Sequence, residues 1–182
     1  MAVREILKMG NPQLLQVSEP VADSEISELE DLVTDLIDTM TAAEGAGLAA
    51  PQIGVMKRVV IFGFEHNERY PDAGSVPFTV LINPELEVLD NQVQYGWEGC
   101  LSVPGMRGKV PRAHNLRYRG FTLDSSPIDR TVDGFHARVV QHECDHLDGI
   151  LYPMRMEDMR YFGFEDQLRD MASSCPAQST TA

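Results

Sequence analysis

The sequence has few cysteines, few cations and no long apolar run, and each shortage excludes a class of protein. Its 182 residues include three cysteines, which are too few and odd in number for a disulfide framework. No segment approaches the ~18 consecutive apolar residues of a membrane-spanning helix, and the N terminus lacks a signal peptide's apolar stretch and cleavage site. We therefore expect a cytoplasmic protein in a reducing compartment, whose thiols are free to act as ligands or nucleophiles.

Positive charge is also scarce, since 15 Lys and Arg against 28 Asp and Glu leave a formal net charge of −13. This argues against sequence-specific binding to nucleic acids and against binding to anionic membranes, because both kinds of binding require a cationic protein surface. The charge is unevenly placed: residues 10–55 carry nine acids and no Lys or Arg, whereas residues 99–123 carry five Lys or Arg and no acid. We interpret the first run as the solvated face of a helix and the second as a strand with solvated long side chains.

The remaining composition is that of an ordinary globular protein, with 43% hydrophobic and 24% charged residues. Apolar residues that recur every three or four positions predict an amphipathic helix over about 25–42. The period then changes, and runs at 58–64, 78–82 and 116–121 are typical of β-strands. A second helical pattern follows Asp133-Gly134 and ends at Asp148-Gly149.

This order of elements predicts an α+β fold rather than alternating βαβ units. We expect mainly antiparallel β-sheets around the C-terminal helix, with the N-terminal amphipathic helix packed on them. The length suits one domain, which we place at 1–170. Residues 171–182 are small and polar, and we expect a flexible tail there.

The strongest chemical signal is the HExxH motif His142-Glu143-Cys144-Asp145-His146 on the second predicted helix. Histidines at positions i and i+4 lie one turn apart on the same helix face, so both imidazoles can bind one metal ion. Glu143 follows the first histidine directly, where its carboxylate can take a proton from metal-bound water. Cys144 points about 200° around the helix from His142 and is excluded as a ligand to the same ion.

A catalytic metal site needs a third protein ligand, and the motif alone leaves that ligand open. In one class of HExxH proteins a third histidine follows the second by six residues, but this sequence has Tyr152 at that position. Glu165, about twenty residues downstream, would make a zinc metallopeptidase of the Glu type. Cys100, next to Gly99, offers a soft, charged thiolate instead.

A third segment, Gly45-Ala46-Gly47-Leu48-Ala49-Ala50-Pro51-Gln52, indicates only a helix end and a turn when it is taken alone. The segment Glu98-Gly99-Cys100-Leu101-Ser102 and the extended motif 141–146 follow it in order. Together the three resemble the motifs of the peptide deformylase family of bacterial and organellar type. The resemblance extends from Arg4 to about Tyr152.

The resemblance implies a metal-dependent amide hydrolase that removes the N-formyl group from the initiator methionine of new polypeptides and releases formate. It implies that Cys100, His142 and His146 bind one divalent metal ion, with a water molecule as the fourth ligand. The ion is expected to be Fe²⁺, with Zn²⁺, Ni²⁺ or Co²⁺ as substitutes.

The resemblance also implies roles for residues that do not bind the metal. Glu143 is expected to be the general base and then the general acid for the leaving amine. The Gln52 side-chain amide and the backbone N–H of Leu101 are expected to hold the oxyanion. Ala46 and Gly47 are expected to lie against the backbone of an extended substrate.

A methionine side chain requires an apolar slot beside the metal. Phe135 and Val139, seven and three residues before His142, lie on the histidine face of the predicted helix and are the candidates. The expected partners are N-formylmethionyl nascent peptides, with transient contact with the ribosome. Two alternatives remain: a zinc metallopeptidase that uses Glu165 as the third ligand, and a non-catalytic, deformylase-like binding protein.

Overall fold

The computed structural model describes residues 2–66 and 74–168, which contain two antiparallel β-sheets and two long α-helices; residues 165–168 are also helical. The strands are β1 (Gly47–Ala49), β2 (Val59–Phe64), β3 (Val76–Val88), β4 (Val93–Cys100), β5 (Val103–Ala113), β6 (Asn115–Phe121), β7 (Pro127–Asp133) and β8 (Phe162–Phe164). The two long helices are α1 (Glu30–Ala42) and α2 (Gly134–Leu147). The predicted α+β class with antiparallel sheets is therefore confirmed.

The larger sheet has five strands in the order β1-β2-β3-β6-β7, and the smaller has three in the order β4-β5-β8. Strand β2 is buried on both faces of the larger sheet. Its Val59 and Ile61 join the apolar cluster that contains α1, whereas Val60 and Phe62 join the cluster that contains α2. Because successive side chains of a strand point to opposite faces, the two helices cover the two sides of this sheet. Burial on both faces explains why β2 is a continuous apolar run in the sequence.

Helix α2 also contacts β5 of the smaller sheet, so it lies between the two sheets. The smaller sheet has its own apolar cluster, which includes Cys100, Val110 and Tyr152. Strands β4 and β5 form a hairpin whose tight turn places Cys100 opposite Val103. The end of this hairpin and the middle of α2 therefore meet between the sheets.

The predicted start of the N-terminal helix is wrong. Asp23–Glu28 form a 3₁₀ helix, and α1 begins only at Glu30. The backbone N–H of Glu25 donates to the carbonyl of Ala22, and the Glu25 carboxylate accepts from the Ala22 N–H, which closes this first turn tightly. The apolar spacing cannot separate the two helix types over so short a segment.

Two further expectations concern the ends of the chain and membranes. The tail predicted at 171–182, together with Cys175, lies outside the described residues. Within the parts of the chain that are described, no helix has the length and the apolar character needed to cross a membrane.

Candidate metal centre and active site

Cys100 at the end of β4 and two histidines of α2 bring their ligating atoms together between the sheets. One such atom from each of Cys100, His142 and His146 lies within 4.8 Å of the others. Cys100 Sγ is 3.3 Å from His146 Nε2, and the two imidazole centroids are 5.1 Å apart. Cys100 and His146 are buried, and His142 is half-buried. A thiolate and two imidazoles at such distances are a donor set suited to a transition metal ion.

An irregularity in the pairing of β4 with β5 determines where the Cys100 side chain points. The pairing of β4 with β5 is regular from Val93 to Gly99 and shifts register between Gly99 and Cys100. Such a shift re-aims the side chain that follows it. Ser102, in the turn, donates its backbone N–H to Cys100 Sγ over 3.4 Å, which adds a hydrogen bond to the sulfur.

The charge state of Cys100 follows from its two neighbours. Burial alone raises the pKa of its thiol, but the imidazoles of His146 and His142 outweigh burial and hold that pKa well below its usual range. Cys100 is therefore a thiolate, the form that binds metal.

A buried carboxylate holds His142 from behind. Glu98 Oε2 lies 2.9 Å from His142 Nδ1, and because the Glu98 carboxylate can only accept, this ring nitrogen carries the hydrogen and donates it. Burial opposes the charge on Glu98, yet the hydrogen bond from His142 and the charge of Arg112 bring its pKa well below the usual range. Glu98 is therefore ionised and determines both the tautomer and the orientation of the ring.

Two buried arginines in turn hold Glu98. Arg112 donates to both carboxylate oxygens over 2.9 Å, and Arg138 Nη1 donates to Oε1 over 2.7 Å. Arg112 also donates to Asp145 Oδ2 over 2.6 Å, and Arg155 binds the same carboxylate from outside. We name Glu98, Arg112, Arg138 and Asp145 the buried ion network. The network supports His142 through Glu98 and the body of α2 through Asp145 and Arg138.

Glu143 lines the cleft from α2, and the residue is 5% exposed. Burial raises its pKa to about 7, against the opposing charges of His142 and His146. Its Oε2 has no hydrogen-bond partner among the described residues. A β-carbon on Gly47 would lie closer to the Glu143 side chain than van der Waals contact allows. Only glycine therefore fits beside this carboxyl group in its present position. A carboxyl group with a free oxygen and a pKa near neutrality can both accept and donate a proton.

Gln52 lies in the short 3₁₀ turn Ala50–Ile53 that follows β1, and the residue is 2% exposed. Gln52 Oε1 accepts the Ala49 N–H over 2.8 Å. Gln52 Nε2 donates to Ser102 Oγ over 3.1 Å and points toward Cys100 Sγ over 3.5 Å. The amide NH₂ group therefore faces the same space as the thiolate.

A partly open cleft leads to these groups. Nine of the ten site residues predicted from the sequence line it: Ala46, Gly47, Gln52, Cys100, Leu101, Phe135, Val139, His142 and Glu143. His146, the tenth, is buried behind Cys100 and His142 and does not line the cleft. Phe135 packs edge to face against Phe64, with ring centroids 5.8 Å apart.

The sequence-based reasoning missed the arginines of the buried ion network and the contact of Ser102 with Gln52. Arg138 lies one turn before His142 on the same helix face, so the spacing that indicated the two histidines also pointed to it. Arg112 carried no such signal, because its partners Glu98 and Asp145 are 14 and 33 residues away along the chain.

Glu165, the alternative third ligand, has a different partner. Its carboxylate forms an ion pair of 2.9 Å with Arg107 and is 43% exposed. The cluster of ligating atoms contains Cys100 and not Glu165. Cys144 packs in the apolar cluster of α2 and the larger sheet, and burial raises the pKa of its thiol.

Comparisons with known proteins agree over most of the chain. The family model described as polypeptide deformylase matches residues 3–161. Peptide deformylase 1 of Nitrosomonas europaea is 63% identical over 166 residues, which cover 91% of this chain and 94% of the relative. Peptide deformylase 2 of Ralstonia nicotianae is 61% identical with the same coverage. A Met-Ala-Ser-bound crystal structure of the class I type b peptide deformylase from Acinetobacter baumannii is similar with a TM-score of 0.82 and 39% identity, covering 85% of this chain and 99% of that one.

Proposed function

The chain belongs to the polypeptide deformylase family, and from this premise we propose how its own residues carry out the reaction of that family. The protein is a peptide deformylase, an enzyme that hydrolyses the N-formyl group from nascent peptides and releases formate. The observation that carries the assignment of residues is the convergence of a thiolate, two imidazoles and a buried carboxyl group of raised pKa on one cleft.

The donor set fits a divalent metal ion. Cys100, His142 and His146 would hold it, and we propose Fe²⁺, with Zn²⁺, Ni²⁺ or Co²⁺ as substitutes. When bound, such an ion acts as a Lewis acid on the formyl carbonyl and lowers the pKa of water at the site. The buried ion network keeps the His142 ring in the tautomer that leaves Nε2 available as a ligand.

Glu143 moves the protons of the reaction. Its carboxylate takes a proton from the attacking water and then delivers it to the nitrogen of the leaving amine. The raised pKa, about 7, suits a group that must act first as base and then as acid. Gly47 leaves room for this side chain on the side where the substrate backbone approaches.

Two donors stabilise the oxyanion that forms when water adds to the formyl carbon. The Gln52 NH₂ group faces the cleft, and Leu101 lies at the turn beside Cys100 and lines the same space. We assign the Gln52 side-chain amide and the Leu101 backbone N–H to the oxyanion. Donors that are already in place stabilise this charge without reorganisation during the reaction.

The substrate backbone adds to the larger sheet at Ala46 and Gly47. Strand β1 lies at the edge of that sheet, where an extended peptide can pair with its backbone. Phe135 and Val139 supply the apolar slot for the methionine side chain. We also propose one catalytic domain over 1–170, a cytoplasmic location and transient contact with the ribosome, where formylated chains emerge.

The deciding experiment measures formate release from formyl-Met-Ala-Ser by anaerobically prepared, metal-loaded protein. We expect the wild type to release formate, and Glu143→Gln to retain its metal while it loses nearly all turnover. Cys100→Ala should lose the metal, whereas Glu165→Ala, the matched control, should retain both metal and activity. Metal loss in Glu165→Ala with retention in Cys100→Ala would contradict the proposed ligands.

A further inference from the structure

Ser102 contacts several parts of the site but does not itself line the cleft. We propose that Ser102 is a positioning residue, whose hydroxyl group holds the Gln52 side-chain amide with its NH₂ group toward the reacting carbonyl. The inference rests on the proposed role of Gln52 as an oxyanion donor. It adds the residue that keeps this donor in the productive orientation.

The partners of Gln52 determine which end of its amide faces the cleft. The Ala49 N–H can only donate, so the atom 2.8 Å from it must be the amide oxygen. The NH₂ group then lies on the other side and has two hydrogens to place. Ser102 Oγ accepts one of them over 3.1 Å, and the other lies on the side of Cys100 Sγ, 3.5 Å from the nitrogen. The hydroxyl group therefore holds one hydrogen of the amide, and the second, on the thiolate side, is the one that can turn to the oxyanion.

Hydrogen bonds fix the backbone of both Ser102 and Gln52. Ser102 is 0% exposed, its N–H donates to Cys100 Sγ, and its carbonyl accepts the Met9 N–H over 2.7 Å. The Gln52 carbonyl accepts the Leu7 N–H over 2.8 Å. Residues 7–9 therefore join the turn of the smaller sheet to the 3₁₀ turn that follows β1. A hydroxyl group on so restrained a backbone can restrain the amide in turn.

Removal of the hydroxyl group should weaken catalysis more than binding. Gln52 would keep its bond from Ala49, but its NH₂ group would lose its nearer acceptor and sample other rotations. Since loss of a whole oxyanion donor lowers kcat by roughly 10²–10³, a disordered donor should cost about tenfold to hundredfold. KM should change little, because Ser102 does not contact the space that the substrate enters.

The first test compares Ser102→Ala with Ser18→Ala in the metal-loaded enzyme. Ser18 is also buried, and its Oγ has no hydrogen-bond partner within the described part of the chain, so it controls for truncation of a buried serine. We expect Ser102→Ala to lower kcat by about tenfold to hundredfold with KM and metal content unchanged, and Ser18→Ala to leave kcat unchanged. Equal kcat values for the two variants would overturn the proposal.

The second test is a double-mutant cycle. If Ser102 acts through Gln52, Ser102→Ala should cause no further loss of kcat in a Gln52→Ala background. A general structural role would instead lower kcat by the same factor in both backgrounds, and that result would contradict the proposal. An unchanged kcat in Gln52→Ala alone would overturn the proposed oxyanion role itself, which separates failure of the function from failure of this inference.

A readout independent of turnover is the side-chain NH₂ resonance pair of Gln52 in a ¹H–¹⁵N spectrum of the enzyme loaded with diamagnetic Zn²⁺. We expect this pair to be well dispersed in the wild type and to move toward the positions of free glutamine in Ser102→Ala. Ser102→Thr keeps the hydroxyl group and should restore both the resonances and most of kcat. If Ser102→Ala fails to fold, Ser102→Cys, of similar size with a weaker acceptor, takes its place, and a wild-type kcat in that variant would refute the proposal.

Discussion

Two groups of ion pairs in this molecule have similar geometry and opposite surroundings. In the buried ion network, Arg112 meets Glu98 at 2.9 Å with side chains 4% and 3% exposed. On the outer face of the larger sheet, Arg117 meets Asp129 at 2.6 Å with side chains 38% and 49% exposed. Their distances alone would predict similar contributions to the free energy of unfolding. The difference in solvent exposure instead predicts that breaking the buried pair lowers this free energy strongly and that breaking the exposed pair does not.

The two groups also differ in what they are attached to. The exposed pairs, which include Glu87 and Arg119, connect neighbouring strands that already share backbone hydrogen bonds. The buried network connects β4, β5 and α2, and one of its carboxylates holds His142. The first group therefore adds little to a strand pairing that exists without it, whereas the second determines how a helix and a hairpin meet at the candidate metal centre.

The largest effect is expected for Glu98→Ala. This change leaves Arg112 and Arg138 without their shared carboxylate and His142 without its acceptor. Removing one partner from a buried ion pair costs about 3–5 kcal/mol of unfolding free energy, and loss of the carboxylate behind a histidine ligand lowers metal affinity by about 10–100-fold. Denaturant unfolding and metal titration measure the two effects. A stability equal to that of the wild type would contradict the role given to burial.

Arg112→Met should have the next largest effect. Glu98 would keep Arg138 and Asp145 would keep Arg155, so the loss should be about 3 kcal/mol, at the lower end of the range for a broken buried pair. Arg112→Lys should lie between this variant and the wild type, because an ammonium group keeps the charge but not the bidentate geometry. If lysine restored full stability, charge alone would account for the network and its geometry would not matter.

Gly96→Ala tests the network without removing a charge. A β-carbon at Gly96 would lie 2.8 Å from Arg138 Cζ, so the guanidinium group must move away from its present bonds. Overpacking of this kind costs about 1–3 kcal/mol. Gly74→Ala is the control, because a β-carbon there meets no heavy atom of the described residues within 4 Å. Equal thermal midpoints for the two variants would show that Arg138 can shift freely.

The smallest effect is expected for Asp129→Asn in the exposed group. The side-chain hydrogen bond from Arg117 lowers the pKa of Asp129, but solvent and salt screen this pair. We expect the thermal unfolding midpoint to stay within experimental error of the wild type, and any difference to vanish as salt is added. A loss of stability comparable to that of Glu98→Ala would contradict the predicted difference between buried and exposed ion pairs.

Local spacing made part of this molecule predictable. The separation of four residues between His142 and His146 indicated that their side chains share a face of α2, and the apolar run at 58–64 indicated β2. Strands β4 and β5 gave no such signal, because Gly96, Gly105 and Gly108 interrupt the alternation of side chains. The choice of Cys100 over Glu165 as the third ligand followed only from the family resemblance that the three motifs carry together.

The support around the candidate site depends on contacts that no local pattern contains. Glu98 meets Arg138 across 40 residues and His142 across 44, and Gln52 meets Ser102 across 50. Each of these contacts requires the two sheets and α2 to be in place. The roles of the catalytic and metal-binding residues stay predictions until the variants described above are measured.

The position of α2 between the sheets has a consequence for the order of events during synthesis. Until α2 leaves the ribosome, Val60 and Phe62 of β2 lack the apolar cover that α2 gives them, and such surface favours aggregation. The same helix carries His142 and His146, which meet a cysteine made more than forty residues earlier. A nascent chain therefore acquires both candidate metal-binding histidines when α2 covers the larger sheet, so we expect premature termination before α2 to yield a product that is inactive and prone to aggregate.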